Sequence, residues 1–161
     1  MLDLRRRSLV RRLVLIAGAW TLVVMLVAGV FLTAQFKAAA IRRFDSSLAV
    51  LTDDLYAGST IEDGQLRAPV LTDIRATRAY SGRYWAILDK SADGAMKPLE
   101  RSRSLFDSDL MLSSAQIDQL DAAPGKTQYF DLRGPQDKPL RAAAILARLP
   151  GYPDPLVFLA A

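Results

Sequence analysis

The chain divides by its hydrophobic pattern. Residues 13–36 read LVLIAGAWTLVVMLVAGVFLTAQF and carry no charge. As an α-helix such a run rises roughly 36 Å, enough to cross a hydrocarbon core of about 30 Å with some tilt. It is apolar on every side, which a half-buried helix of a soluble domain does not need. Trp20 lies inside the run, and Phe31 and Phe36 approach its far end. The pattern then narrows without a break. Ile41, Phe44, Leu48, Leu51 and Leu55 recur at alternating spacings of three and four, the stripe of an amphipathic helix. Arg42, Arg43, Asp45, Ser46, Asp53 and Asp54 fill the positions between. Proline is absent up to Tyr56, and Gly58 is the first stop signal. One continuous helix from the apolar run to a folded domain is the expectation. Its stripe can pack on its own domain or on the same helix of a second subunit.

From residue 58 the pattern becomes short strands and turns. Ile61 to Leu66 reads as a turn entering a short strand, ended by Pro69. Residues 70–79 read as a second short helix or an irregular crossing. The segment 83–89, RYWAILD, suits a pleated sheet. Ser91 to Gly94 is turn chemistry, and residues 98–105 return as the partner strand. Ser113 to Ile117 begins like a serine-capped helix, which Pro124 and Gly125 end. Strands follow at 127–133, 140–149 and from 155, with Gly134 and Pro135 as a turn. A long helix followed by strands joined mostly by hairpin-length links predicts an α+β domain on an antiparallel sheet of about five strands. The expected divisions are a basic flank over 1–12, a transmembrane helix over 13–36, a membrane-proximal helix over 37–57 and an outer domain over 58–161.

Charge sets the orientation. Arg5, Arg6, Arg7, Arg11 and Arg12 precede the apolar run against Asp3 alone, whereas residues 37–161 hold equal numbers of cations and anions. The entire net charge of +4 therefore resides in the first dozen residues. A basic flank before a span places the N-terminus in the cytoplasm and residues 37–161 outside. The same uneven distribution removes the nucleic-acid interface that a pI near 9.6 would suggest. A cleaved signal peptide is the competing reading, with Ala38 to Ala40 as a small-residue site. Its apolar region would be about 7–15 residues, much shorter than this run, which favours an uncleaved anchor.

The sequence contains neither cysteine nor histidine. Disulfides, thiolate sites, a Ser-His-Asp triad, histidine-ligated metals and a phosphoacceptor histidine are excluded within these residues. Arg83, Arg101 and Arg103 are candidates for an anion site, with Tyr84 and Trp85 beside them. The alternative is a solvated face balanced by Asp89, Glu100 and Asp107. In a strand, Tyr84 and Trp85 point to opposite faces, so one belongs in the core. Asp107, Asp109, Asp118 and Asp121 lack the loop spacing of a hard-cation site, and no metal is expected. No acid/base couple or nucleophile with its base stands out, so no catalytic residue is assigned.

Several segments in order carry a resemblance: the start Arg5-Arg6-Arg7-Ser8-Leu9, then Phe44-Asp45-Ser46-Ser47-Leu48, then Ser81-Gly82-Arg83-Tyr84-Trp85-Ala86-Ile87. Arg101-Ser102-Arg103-Ser104-Leu105-Phe106-Asp107 follows, then Gly134-Pro135 before Leu140-Arg141, and Val157-Phe158-Leu159-Ala160-Ala161 at the end. The chain resembles the N-terminal sensor region of proteobacterial two-component sensor histidine kinases. That likeness implies a PAS-like periplasmic sensor domain held between two transmembrane helices in the inner membrane. It further implies an extracytoplasmic ligand and a response regulator served by domains beyond this segment, and the apolar stripe adds the expectation of a homodimer joined through residues 37–57. ATP and magnesium would belong to that kinase portion, with no cofactor in these residues. The expectation is a fragment ending before the second span. A stand-alone bitopic binding or adaptor protein, or the sensor region of a nucleotide cyclase or chemoreceptor, are the alternatives.

Overall fold

The computed structural model describes residues 3–69, 78–90 and 96–161, with side chains from residue 9. The reading of 70–79 falls almost wholly outside these residues, as does the turn at Ser91 to Gly94. The chain forms two compact units, residues 1–43 and 44–161.

Helix α1 spans Asp3–Gly58, as the unbroken pattern of the sequence predicts. Within the first unit its apolar side chains stand exposed all round, Trp20 and Met25 by 70% and 72% among them. In water this surface would be strongly unfavourable. From Leu9 onward the helix is long and apolar enough to cross a membrane. Thr21 and Thr33 each donate their hydroxyl to the carbonyl four residues earlier, Ala17 O and Gly29 O, at 2.8 Å. That back-bonding satisfies both hydroxyls without water, as hydrocarbon requires.

The second unit is α+β. After α1 come a small hairpin, β1 (Thr60–Glu62) and β2 (Gln65–Arg67), and then β3 (Trp85–Lys90) and β4 (Met96–Arg101). Helix α2 (Ser114–Ala122) precedes β5 (Gln128–Arg133), β6 (Pro139–Ala147) and β7 (Leu156–Ala160). The last five strands form one sheet in the order β4-β3-β7-β6-β5, every pair antiparallel. The expected α+β domain with a five-stranded antiparallel sheet is thus the architecture found.

Local chemistry explains the departures. Asp63 and Gly64 both take positive φ, so the stretch read as a turn entering a short strand is a hairpin with a strand on each side of the turn, pairing Ile61 with Leu66. The strand expected over 98–105 stops at Arg101, and Arg103–Leu105 turn into a 3-10 helix. Its cause is a handover of hydrogen bonds. Ser102 N–H still reaches Trp85 O at 2.8 Å, but Leu105 N–H bonds back to Ser102 O. A register shift at Ile87 and Leu88 accommodates Pro98, which is tolerated because β4 is an edge strand. Ser113 stands at the N-cap of α2, and there it is Gln116 that closes the turn, its Oε1 accepting from Ser113 N–H at 2.8 Å.

Both faces of the sheet are covered. On one, Tyr84, Ala86, Leu88, Ala142, Ala144, Val157 and Leu159 meet Leu105, Leu110, Leu112 and Leu120 from α2 and the segment before it. On the other, Ile87, Ile145, Leu156 and Phe158 meet Leu55 of α1, with Tyr56, Trp85 and the β1-β2 hairpin at the margin. The central strand β7, LVFLA, shows no polar alternation because it is buried on both sides and flanked on both edges.

Candidate functional site

Residues 44–58 of α1 belong to the second unit and bury one side in it. Leu55 and Thr52 are fully buried and Leu48 nearly so, while Leu51 is half-buried. Tyr56 meets Phe158 edge to face, with ring centroids 5.2 Å apart. The predicted stripe therefore divides. Leu48, Leu51 and Leu55 bury surface within their own domain, whereas Ile41 and Phe44 remain 44% and 51% exposed.

One ion-pair network fixes the helix against the sheet, and no reading of the sequence isolated it. Arg141 of β6 presents Nε and Nη2 to the two carboxylate oxygens of Asp45, at 2.9 and 3.0 Å. This is a parallel two-point fork, the geometry that gives arginine-carboxylate pairs their directionality. Arg141 also donates to Asp131 at 3.2 Å and lies 5.7 Å from the ring centre of Tyr129 on β5. The hydrogen bonds from Arg141 hold the Asp45 carboxyl below the usual carboxylate range, and those acidic partners raise the guanidinium in turn. Seven residues on, Thr52 Oγ1, bonded to Leu48 O at 2.9 Å, lies 3.4 Å from Ala143 O. Asp45 and Arg141 are 96 positions apart in sequence, so neither spacing nor periodicity could pair them.

A second polar cluster supports the end of the sheet where β3 begins. Ser102 and Ser104 are buried. Ser104 Oγ lies 2.6 Å from Arg83 O and 2.8 Å from Ser102 Oγ, which accepts from Trp85 N–H at 3.1 Å. Each hydroxyl has a single proton, so when Ser104 donates to the carbonyl, Ser102 supplies the proton between the two oxygens. Tyr84 and Ala161 exchange backbone hydrogen bonds at 2.7 and 2.8 Å. Beside them Tyr80 N–H donates to Ser104 O at 2.9 Å, and the Tyr80 hydroxyl donates to Asp107 Oδ1 at 2.8 Å. That bond raises the Tyr80 phenol above its ordinary value and lowers the Asp107 carboxyl.

The structure distributes the candidate anion-site residues rather than gathering them. Tyr84 is buried in the core face shared with α2, and Trp85 is half-buried on the α1 face, opposite sides as strand alternation requires. Arg101 donates to Ser108 O at 2.9 Å and to Asp109 at 2.7 Å. Asp109, rather than Asp89, Glu100 or Asp107, is thus its ion-pair partner. Arg103 is exposed on the 3-10 helix and shares no strand with Arg101, although both fall within the strand expected over 98–105. Arg83 is half-buried, its carbonyl bound by Ser104.

Two further polar contacts tie the domain together. Tyr152 donates to Asp89 Oδ2 at 2.9 Å, and burial followed by that bond raises its phenol. Lys90 pairs with Asp121 of α2, joining β3 to the helix across the sheet face. Among the described residues, no three His, Cys, Asp or Glu side chains are grouped to hold a metal ion. The arrangement is a five-stranded sheet clamped to the last turns of a long helix. Comparison with protein-family models, curated proteins and solved structures finds no match.

Proposed function

We propose that this chain is the membrane-anchored input segment of a two-component sensor histidine kinase, with residues 37–161 periplasmic and the basic N-terminus in the cytoplasm. The domain in this reading is PAS-like and binds an extracytoplasmic ligand. The kinase portion lies beyond Ala161. The observation that carries the reading is the double duty of α1. The helix that includes the apolar run also supplies Asp45, Thr52 and Leu55 to the core of the domain. A ligand that binds two arrangements of the sheet unequally would bias two positions of that helix, which is the physical requirement for signalling through it. Homodimerisation is part of the proposal. Because Leu48 and Leu55 are buried within their own domain, Ile41 and Phe44 are the residues left to face a second copy.

The test combines the gene with the membrane. The coding DNA read in frame past Ala161 should specify a second apolar span, a HAMP-like linker, a phosphoacceptor histidine and an ATP-binding domain. An alkaline phosphatase fused after Ala161 should be active in the periplasm. A stop codon directly after Ala161 would remove the kinase reading, and an inactive phosphatase fusion with a fluorescent cytoplasmic one would reverse the topology. The chain has no cysteine, so Ile41→Cys and Phe44→Cys report the dimer directly. Oxidative cross-linking in membranes is expected at these positions and not at Asp54.

A further inference from the structure

Two backbone irregularities of the domain meet at its surface. Among the described residues, the non-glycine residues at positive φ are Asp63, Tyr80, Phe106, Gln136 and Asp137. Asp63, Gln136 and Asp137 are polar and lie in the tight connections β1–β2 and β5–β6. Tyr80 and Phe106 are bulky, at φ 55° and 53°, and a bulky residue adopts that conformation only under strain. These two are also a pair whose rings touch. They meet edge to face, with centroids 5.9 Å apart and ring planes at 68°.

Neither ring serves the core. Tyr80 is 39% and Phe106 64% exposed, whereas Leu105 is fully buried. The backbone nonetheless fixes both. Tyr80 N–H bonds to Ser104 O at 2.9 Å, Phe106 N–H to Arg103 O at 3.2 Å and Ser108 N–H to Leu105 O at 2.9 Å. A carboxylate completes the group. Asp107 Oδ1 accepts from the Tyr80 hydroxyl at 2.8 Å and from Ser108 Oγ at 3.2 Å, so Oδ2 takes part in neither bond. The Tyr80 bond above all holds the Asp107 carboxyl below its usual range, which keeps it anionic at neutral pH. Arg101 acts on the same carboxylate through space, but its guanidinium is bonded to Ser108 O and Asp109, at 2.9 and 2.7 Å.

Two ring walls at a wide angle beside a fixed negative charge favour one kind of cation. Ring faces are electronegative and attract cations. A primary ammonium binds water strongly through its three N–H donors, and exposed rings offer nothing to replace those bonds. A quaternary ammonium has no N–H to satisfy, and its methyl groups gain by leaving water for an aromatic face. The carboxylate attracts its charge without needing a hydrogen bond. Because the rings are held in place beforehand, binding requires little further ordering.

We infer that Tyr80, Phe106 and Asp107 form a half-open cage for a quaternary ammonium group, so that a methylated amine is the extracytoplasmic ligand of this domain. Its role as a sensory input rests on the proposed sensor function, whereas the cage itself is a property of these three residues.

The test uses the full chain in micelles of a deuterated maltoside, which carries no choline headgroup, with choline as the probe. Saturation transferred from the protein to the choline methyl protons, followed over a concentration series, reports binding. The neutral isostere 3,3-dimethylbutanol, with carbon in place of the charged nitrogen, is the comparison and needs no variant. Choline is expected to give a saturable signal and to bind more tightly than the isostere. Phe106→Leu keeps an apolar side chain but removes the ring, and should weaken choline about two- to five-fold, the size of one exposed cation–aromatic contact. Asp107→Asn should weaken choline and leave the isostere unchanged. No saturable choline signal, equal binding of the isostere, or undiminished choline binding by Phe106→Leu overturns the cage. Choline binding by a chain whose gene stops after Ala161 keeps the cage and removes only the kinase reading. An active periplasmic phosphatase fusion on a chain that does not bind choline removes only the cage.

Discussion

Leu55→Ala isolates the packing of α1 on the sheet. Leu55 has no exposed surface and lies among Ile87, Ile145, Leu149, Leu156 and Phe158. Truncation removes three carbons, roughly 2.4 kcal/mol at about 0.8 kcal/mol per buried methylene. Its neighbours are fixed in a sheet held on both sides, so the space left should close only in part. Together these place the loss at about 2–5 kcal/mol. Val50, five residues earlier on the same helix, is 60% exposed, and Val50→Ala should change stability by less than about 0.5 kcal/mol. The assay is urea unfolding of the full chain in detergent micelles, in a Trp20→Phe background. That leaves Trp85, at the margin of the same cluster, as the sole indole. With a slope of about 1–2 kcal/mol per molar urea, Leu55→Ala should lower the midpoint by more than 1 M. Equal effects of the two substitutions would refute the packing. So would a Leu55→Ala effect that disappears at high protein concentration, since that would place the leucine in a subunit interface.

Three other perturbations probe the polar framework and the exposed loop. A double-mutant cycle of Asp45→Asn and Arg141→Lys should give a coupling of about 1 kcal/mol, because the fork is mostly shielded and two-pointed; additive effects would show the pair to be inert. Asp45 has a lowered pKa in the folded chain, so its contribution is present above the unfolded value of about 4 and is lost as pH falls through the lower folded value. Stability of the wild type, but not of Asp45→Asn, should show that acid-side loss. Ser104→Ala removes the hydroxyl that joins buried Ser102 to the Arg83 carbonyl and should destabilise by about 1 kcal/mol; a neutral result would mean water replaces the hydroxyl. Phe106→Gly relieves the positive-φ strain at an exposed position and should leave stability unchanged or raise it by up to about 1 kcal/mol. A loss above 1 kcal/mol would show that the ring is held for packing after all.

The sequence by itself determined the parts of this protein that depend on local periodicity. Residues 13–36 are apolar throughout, and the stripe from Ile41 to Leu55 follows without proline, so one helix to Gly58 was legible. Five strands and a capped helix were equally legible, because alternation, turn residues and the Ser113–Gln116 pair act within a few positions of one another. The tertiary structure alone decided everything that depends on which distant surfaces meet. The same leucine stripe serves a helix packed on a sheet or on its twin, and only the burial of Leu48 and Leu55 assigned them to their own domain. Arg101 and Arg103 looked like neighbours on a strand until the backbone bonds at Ser102 and Leu105 turned the chain between them. Asp45 found Arg141 across most of the chain, and Phe106 was left outside a core that took both leucines around it. Such pairings are set by how strands register and how surfaces exclude water at a distance, information that no short stretch of sequence carries.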